Sequence, residues 1–310
     1  MKNKKVIIFG GSGFLGLNLA KALLSRSYDV TIISRNEPKE QGEWKFVSWD
    51  AQTLNTWVKE LEDATAFVNL VGRTVDCVKT AENCDAILRS RVDATKLIAK
   101  ALKELKTPPT VWVQMSTAHR YGDSAEAISD ENSTFGYGLA PFVGEKWEEA
   151  YTQNIIPNIR QVIVRTSFVL GRSGGALKTV ATLTKLGLGG KLGSGKQGMS
   201  WIHEEDMNQI FIEAIENEKR EGAFIATAPH PISNEAFMKA LRKALGVRVG
   251  LPATAWMVQL GAKFIMNTDP DLVLAGRYCV PKSLLDNGFS FAYPTIEEAF
   301  KDLFSKNRGV

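Results

Sequence analysis

The chain has 310 residues, of which 44% are hydrophobic and 23% charged, and its formal net charge is +4. This length fits one large α/β domain, or one domain with a smaller appendage, and the composition is that of a globular protein. The low net charge gives no reason to expect a nucleic-acid partner, and no apolar run reaches membrane-spanning length. Cys77, Cys84 and Cys279 show no metal or redox spacing, so we expect reduced thiols in a cytoplasmic protein and no metal site.

Strands and helices alternate along the first half of the chain. Apolar, β-branched runs predict strands at 5–10, 29–35, 45–50, 66–72, 110–117 and 161–170, and helical spacing of apolar residues predicts helices at 14–26, around 54–62 and at 90–105. Such alternation is typical of a parallel sheet with helices on both faces. The sequence therefore predicts a Rossmann-type, doubly wound α/β fold.

The second half predicts a smaller substrate-binding, C-terminal domain. We assign residues 1–170 to a dinucleotide-binding domain, whose sheet is completed at about 222–230, and residues 171–221 and 231–310 to the smaller domain. A strand is predicted at 222–228, an amphipathic helix at 233–246 and a last helix at 296–304. Gly246 ends the first of these helices, and a capping box of Thr295 with Glu298 begins the second. Asp206 with Gln209 predicts a capping box at the start of a further helix, which begins after Asp206.

A glycine motif, G-x-x-G-x-x-G, stands between the first strand and the first helix. It comprises Gly10, Gly11, Ser12, Gly13, Phe14, Leu15 and Gly16. Glycine at these positions permits a tight turn, close approach of a pyrophosphate and close packing of the helix. The N–H groups at the start of the helix favour the phosphates. In this strand–turn–helix context, the motif predicts a dinucleotide site rather than a structural turn.

The end of the second strand bears on the choice of dinucleotide. Arg35 stands where NAD-binding proteins usually carry an Asp or Glu, and a guanidinium can bind a 2′-phosphate. This favours NADP, although Arg35 could also be a solvated surface residue and Glu37 leaves NAD open. Asp50, after the third strand, is a candidate acceptor for the adenine amino group or a simple turn residue.

Several further motifs give the chain a family resemblance. The segments "VNLVG", "MSTAHRYGD", "VRTSFVLG" and "WIHEEDM" follow the strands in order, and "VPKSLLDNGFSFAYPTIEEAF" closes the chain. With the glycine motif, they resemble the extended short-chain dehydrogenase/reductases, the NAD-dependent epimerase/dehydratase superfamily. Within it, the chain resembles an epimerase-like branch with a C-terminal domain of unknown function, sometimes labelled cell-division inhibitors. The resemblance implies cofactor contacts at Leu70, Val71 and Gly72, and it leaves the substrate open.

The same resemblance implies three catalytic positions. Thr117 matches a Ser or Thr that positions the substrate oxygen, and Lys146 matches a Lys that holds the nicotinamide ribose and lowers the pKa of a Tyr. That Tyr, which transfers the proton, is replaced by Phe142, and a phenyl ring can neither donate nor accept a proton. Tyr278 also has a Lys four residues later, but it lies in the closing segment and we interpret the spacing as coincidence.

Other acids stand close to Thr117. His119 has a suitable intrinsic pKa for proton transfer, although it could equally be a loop histidine. Tyr121 is a candidate substrate residue, for which packing beneath the site is the favoured role, and Tyr137 lies on the same segment. We therefore take Thr117, His119 and Lys146 as the candidate catalytic residues.

A glycine- and lysine-rich segment at 170–201 carries no acidic residue. It is typical of a mobile lid over an anionic ligand, and a solvated loop explains its charges nearly as well. Lys191 and Trp201 are the candidate substrate residues here, although Trp201 also fits the return of the chain to the core.

Two functions are compatible with these observations. One is an NADP-dependent oxidoreductase or epimerase that acts on a small substrate. The other is an NADP-binding sensor or regulatory protein with little or no redox activity, which Phe142 favours. Fold alone does not separate them, and the sequence leaves the oligomeric state open.

Overall fold

Each strand predicted in the first half is present in the computed structural model, which describes residues 4–123, 127–154, 156–262 and 268–305. The main strands, numbered in chain order, are β1 (Lys5–Phe9), β2 (Asp29–Ser34), β3 (Lys45–Ser48), β4 (Ala66–Asn69), β5 (Val111–Thr117), β7 (Arg160–Thr166) and β11 (Gly222–Ala226). The short strands are β6 (Ile128–Ser129), β8 (Phe168–Leu170), β9 (Gly198–Met199), β10 (Trp201–His203), β12 (Ile232–Ser233) and β13 (Tyr278–Cys279).

The α-helices of the described residues alternate with these strands. They are α1 (Phe14–Leu24), α2 (Ala81–Leu102), α3 (Leu139–Thr152), α4 (Leu177–Leu183), α5 (Glu204–Glu216), α6 (Asn234–Leu245), α7 (Ala255–Gly261), α8 (Asp271–Leu274), α9 (Lys282–Asp286) and α10 (Ile296–Phe304). Two 3₁₀ helices lie at Thr56–Leu61 and Ala118–Tyr121, and a π-helical turn lies at Thr184–Leu188. Each of these helices is too short or too polar to span a lipid bilayer.

The central sheet has seven parallel strands in the order β3-β2-β1-β4-β5-β7-β11. Its order reverses direction between β1 and β4, and ligands bind at the carboxyl ends of strands at such a point. The predicted doubly wound fold is confirmed, and β11 completes the sheet as expected. The glycine turn after β1 thus faces the residues that follow β4.

Burial on both faces explains the apolar strands. In β1, Val6 and Ile8 belong to one core cluster, and Ile7 and Phe9 belong to the cluster on the opposite face. A third cluster joins α6 and α10 to residues of β8, α4 and β10. It gives the C-terminal part of the chain a core of its own, and the domain boundaries proposed above remain a prediction.

Three predicted elements differ from the structure. Helix α2 begins at Ala81 rather than residue 90, because the Thr80 hydroxyl caps it by accepting from Asn83 N–H. The strand predicted at 161–170 divides into β7 and β8, and β8 pairs with β10 outside the main sheet. The helix predicted around 54–62 is a short 3₁₀ helix.

The capping role predicted for Asp206 is wrong. Helix α5 begins at Glu204, and its N-cap is His203, whose Nδ1 accepts from Glu205 N–H at 3.1 Å. Asp206 lies in the first turn, buried, and its carboxylate accepts from the N–H groups of Ala292 and Tyr293 at 2.7 and 3.0 Å. Gln209 instead accepts from Arg26. Asp206 therefore ties the closing segment of the chain to α5.

The Asp206 carboxyl predicts a pH dependence of stability. Burial raises its pKa to about 6, from about 4 in an unfolded chain. The folded state therefore holds the proton more tightly than the unfolded chain does. The protonated carboxyl makes its full contribution to the free energy of unfolding below about pH 4, and this contribution, about 3 kcal/mol in total, is lost as the pH rises through 6.

Chemical denaturation of wild type and Asp206→Asn at several pH values between 4 and 7 tests this expectation. The free energy of unfolding of the variant should not fall with rising pH in this range. Its amide oxygen is the one acceptor left for the N–H groups of Ala292 and Tyr293. Parallel curves for the two proteins would show that Asp206 does not titrate in this range.

The closing segment and the residues just before it also bond to the first half of the chain. Strand β13 is parallel to β6, and Arg277 donates to Gly122 O at 3.1 Å and forms an ion pair with Asp123. The carboxylate of Glu131 accepts from Ile225 N–H at 2.9 Å and from Ser283 N–H at 3.2 Å. The closing segment is thus bonded to the loops that follow β5.

Candidate cofactor and catalytic site

Three of the four glycines of the turn, Gly10, Gly13 and Gly16, have different structural roles. Gly10 has a φ of +72°, and a Cβ there would lie 3.0 Å from the backbone of Leu70. A Cβ on Gly16 would lie 2.4 Å from Gly11 Cα, so glycine lets α1 pack on the turn. A Cβ on Gly13 would meet only Gly10 O, at 4.0 Å. Of the three, Gly13 is therefore the position whose missing side chain leaves space for a ligand.

A cavity of about 880 Å³ opens above this turn. It is bounded by the ends of β1, β2 and β4, by the loop after β3 and by one face of α2. Eight of the predicted cofactor residues line it: Gly10, Ser12, Gly13, Arg35, Asp50, Leu70, Val71 and Gly72. The cavity thus extends along the carboxyl edge of the sheet on both sides of the turn.

Three other predicted cofactor residues lie beside this cavity and do not line it. Gly16 and Leu15 pack within α1 against the core. The ring of Phe14 occupies the space over Gly171 and Gly174, where a Cβ would come within 2.3 and 2.6 Å of it. Phe14 therefore connects the glycine turn to the loop after β8.

Positive charge collects along the lining of the cavity. Arg35 is exposed directly after β2, and within the described residues it forms no ion pair. Helix α2 adds Arg89, Lys96 and Lys100 to the lining, together with Asp93, which pairs with Arg89. Sequence analysis missed these α2 residues, because a helix amphipathicity pattern does not show which polar side chains face a cavity.

Asp50 lines the cavity as part of a turn. Its carboxylate accepts from Gln52 N–H at 2.8 Å, from Thr53 N–H at 2.9 Å and from the Thr53 hydroxyl at 2.6 Å. These hydrogen bonds lower the pKa of Asp50 to about 2. The turn role is therefore observed, and a bond to the adenine amino group remains a prediction.

Thr117 ends β5 and begins the 3₁₀ helix that follows. Its Oγ1 accepts from His119 N–H at 3.1 Å. The neighbouring Ser116 points the other way, is buried, and donates to Glu148 at 2.5 Å. Thr117 is half-buried and does not line the cavity above the glycine turn, so its contact with a substrate remains a prediction.

The family resemblance implied that the positions of Phe142 and Lys146 face Thr117 from α3, but a different side of the helix faces it. A Cβ on Gly144 would lie 3.2 Å from Thr117 Cγ2 and 2.5 Å from Arg120 Cγ. Phe142 and Lys146 stand two residues before and after Gly144, so they point about 200° around the helix from it. Both line a second cavity of about 290 Å³ between α2 and α3, where Lys146 Nζ donates to Glu149 at 2.8 Å. The structure therefore places Lys146 outside the cavity above the glycine turn.

His119 is half-buried beside Thr117. Burial, together with the nearby charge of Arg277, holds the pKa of His119 well below its usual value of about 6.5. At neutral pH its imidazole is uncharged, and because the same burial disfavours the protonated form, His119 is a weak base at this position.

A buried charge cluster, formed by Arg120, Glu148, Arg165 and Tyr121, anchors the 3₁₀ helix that follows Thr117. Arg165 donates to both carboxylate oxygens of Glu148, at 2.9 and 2.7 Å, and to the Tyr121 hydroxyl at 2.8 Å. Arg120 pairs with the same carboxylate and stacks on Phe135, 3.6 Å from its ring centroid. Burial raises the pKa of Tyr121 to about 12, so Tyr121 stays neutral and fits the packing role.

The two substrate candidates of the second half lie in different environments. Trp201 is fully buried in the third core cluster, and its carbonyl accepts from Ala228 N–H, so its assignment to the substrate is wrong and its core interpretation is the one observed. Lys191 is exposed, and a contact with the substrate remains a prediction.

Comparison with known proteins extends these observations. Residues 6–226 match the model of the NAD dependent epimerase/dehydratase family, and residues 253–303 match a domain of unknown function, DUF1731. The human epimerase family protein SDR39U1 is 31% identical over 96% of this chain and 99% of its own length. Epimerase family protein YfhF of Bacillus subtilis is 28% identical over 98% of this chain and 99% of its own.

A solved structure shares the fold over the same length. The crystal structure of human SDR39U1 with NADPH has a TM-score of 0.83 and 30% identity, and it covers 97% of this chain and 99% of that chain. The resemblance stated from the sequence motifs is thereby confirmed, both for the family and for the C-terminal domain.

Proposed function

We propose, from the premise that this chain belongs to the NAD dependent epimerase/dehydratase family, that it binds NADP(H) above the glycine turn and acts on a small substrate as an oxidoreductase or epimerase. The single observation that carries the cofactor assignment is Arg35, an exposed guanidinium at the end of β2 that lines the same cavity as the turn. A guanidinium binds a phosphate with two parallel hydrogen bonds, and a ribose hydroxyl needs no such charge.

The cavity fits this cofactor in shape as well as charge. Gly13 leaves open space in front of the first turn of α1, where N–H groups and the helix dipole favour a pyrophosphate. The NADPH found with the human relative supports the same choice. Bound there, the cofactor would supply hydride transfer, and the protein would supply position and proton transfer.

Replacing Arg35 tests the cofactor assignment. Arg35→Ala should weaken NADPH binding by about tenfold or more, since a charge-assisted hydrogen bond contributes about 1.5–3 kcal/mol, and should leave NADH binding nearly unchanged. Fluorescence titration of both dinucleotides against both proteins measures this, with Lys39→Ala as a matched control, because Lys39 is exposed nearby but does not line the cavity. Equal binding of NADH and NADPH by the wild type would contradict it.

We infer a limited set of roles near the substrate. Thr117 positions the substrate oxygen, and the uncharged imidazole of His119 beside it donates a hydrogen bond to the same oxygen. The lysine-rich segment, with Lys191 exposed, suits an anionic substrate. His119→Ala should then reduce whatever turnover the wild type shows.

One observation favours a second function, that of an NADP(H)-binding sensor with little redox activity. The residue that faces Thr117 from α3 is Gly144, which brings no acid, base or cation to that side. A screen of metabolites with NADP+ and with NADPH, which follows both NADPH fluorescence and the conversion of the metabolite, separates the two. Formation or loss of NADPH, or conversion of a metabolite without net change in NADPH, supports the enzyme, and changes in cofactor affinity without any conversion support the sensor.

A further inference from the structure

Arg91 lies on α2 with its side chain between the loop after β4 and helix α3. Its Nη1 donates to Arg73 O at 3.1 Å and to Ile87 O at 3.0 Å. Its guanidinium carbon lies 5.1 Å from the centroid of the Trp147 ring. Among the described residues no carboxylate forms an ion pair with it, so its charge is balanced only by carbonyl oxygens and an aromatic face.

Glycine at position 72 lets this cation reach the edge of the sheet. A Cβ there would lie 2.9 Å from the guanidinium carbon of Arg91, 3.1 Å from Nη2 and 3.2 Å from Nε. The edge of the guanidinium that faces Gly72 is therefore the one not used for the two carbonyl bonds. Gly72 itself lines the cavity above the glycine turn, and Arg91 lies directly behind Gly72, just outside that lining.

The environment of Arg91 is costly without a ligand. Burial lowers its pKa to about 10, so it remains protonated at neutral pH. A partly desolvated cation without a counter-charge costs free energy, unless hydrogen-bond acceptors arrive from a ligand. An oxygen-rich ligand at the end of β4 would supply such acceptors.

The order of the sheet indicates which part of the cofactor comes here. Arg35 follows β2, the glycine turn follows β1, and Gly72 follows β4, and these strands are adjacent in the order β2-β1-β4. A dinucleotide with its 2′-phosphate at Arg35 and its pyrophosphate at the turn must continue toward β4. Its nicotinamide half therefore reaches the edge where Arg91 lies.

We propose that Arg91 is the cation that positions the nicotinamide half of NADP(H) through its ribose and phosphate oxygens, in place of Lys146. This rests on the proposed function, because it assumes that the dinucleotide binds above the turn. Lys146 is unsuited to the role, since it faces the second cavity and is paired with Glu149.

Two ligands separate this role from a structural one. NADPH has both halves of the dinucleotide, whereas adenosine 2′,5′-bisphosphate has only the adenosine half with its 2′-phosphate. Arg91→Met should lower the affinity for NADPH by about tenfold or more and change the affinity for the bisphosphate by less than about twofold. Arg91→Lys keeps the charge, so its affinity for NADPH should lie between those of the wild type and Arg91→Met. Lys146→Met should bind both ligands as tightly as the wild type does. Isothermal titration of both ligands with the wild type and with each folded variant gives the dissociation constants from which these changes are calculated.

Each other outcome overturns the proposal. Equal weakening of both ligands by Arg91→Met would assign Arg91 to support of the loop at Gly72, and no weakening of either would remove it from the site. Weakening of NADPH alone by Lys146→Met would restore Lys146 to the role. If Arg91→Met does not fold, Arg91→Lys must still weaken NADPH selectively. A wild type that binds neither ligand refutes the proposed function as well, whereas binding of both by the wild type keeps that function whatever Arg91 does.

Discussion

Gly13→Val is expected to lower the affinity for NADP(H) by about 100-fold or more and to leave the fold intact. The backbone of Gly13 is extended, with φ −87° and ψ 176°, which valine adopts readily. Its Cβ would meet protein only at 4.0 Å, so the branched side chain would project into the space in front of α1. The pyrophosphate would then lose contact with the N–H groups of the turn.

Fluorescence titration with NADPH, combined with thermal unfolding, measures both parts of this expectation. Gly16→Val is the contrasting variant, because its Cβ would lie 2.4 Å from Gly11 Cα and the helix would have to move. It should lower the unfolding temperature clearly, whereas Gly13→Val should change stability by no more than about 1 kcal/mol. A folded Gly13→Val protein with wild-type affinity would show that the motif is only a turn.

Glu148→Leu should lower the free energy of unfolding by about 3–5 kcal/mol, because removing one partner of a buried ion pair leaves uncompensated charge. The carboxylate of Glu148 is the acceptor for the guanidiniums of Arg120 and Arg165 and for the Ser116 hydroxyl. All four residues are buried, so water does not replace the lost bonds.

Urea denaturation of Glu148→Leu and Glu149→Gln compares two neighbouring carboxylates. Glu149 pairs with Lys146 on the solvent side of α3, so its loss should cost less than about 1 kcal/mol. If the two variants are equally stable, the charge cluster does not support the loop that carries Thr117.

The fold was predictable because its signals are local. Apolar strands buried on both faces and glycines between a strand and a helix are visible in short windows of sequence. The start of α2 was missed because residues 81–86 carry no large apolar side chain and therefore show no apolar periodicity. The division of the strand at 161–170 depends on pairing with β10, which lies more than thirty residues away.

The site was less predictable because its orientation depends on tertiary packing. Lys146 was chosen by its spacing from Phe142, yet the buried face of α3 carries Val143, Trp147 and Tyr151. These three residues follow a helical period, so a helical projection of the segment could have shown that Lys146 lies elsewhere. The pairing of Glu148 with Arg120 and Arg165 joins three separate segments and leaves no signal in one sequence.

The pairing of β13 with β6 has a consequence for cooperativity. The Cys279 backbone N–H donates to the Ser200 hydroxyl, its carbonyl accepts from Thr227, and its side chain packs against Ala118 and Tyr121. The segment matched by the second family model is thus interleaved with the segment matched by the first, rather than appended to it. Exchanging that segment between relatives would also exchange the neighbours of the loop after Thr117, so the two segments must vary together and fold as one unit.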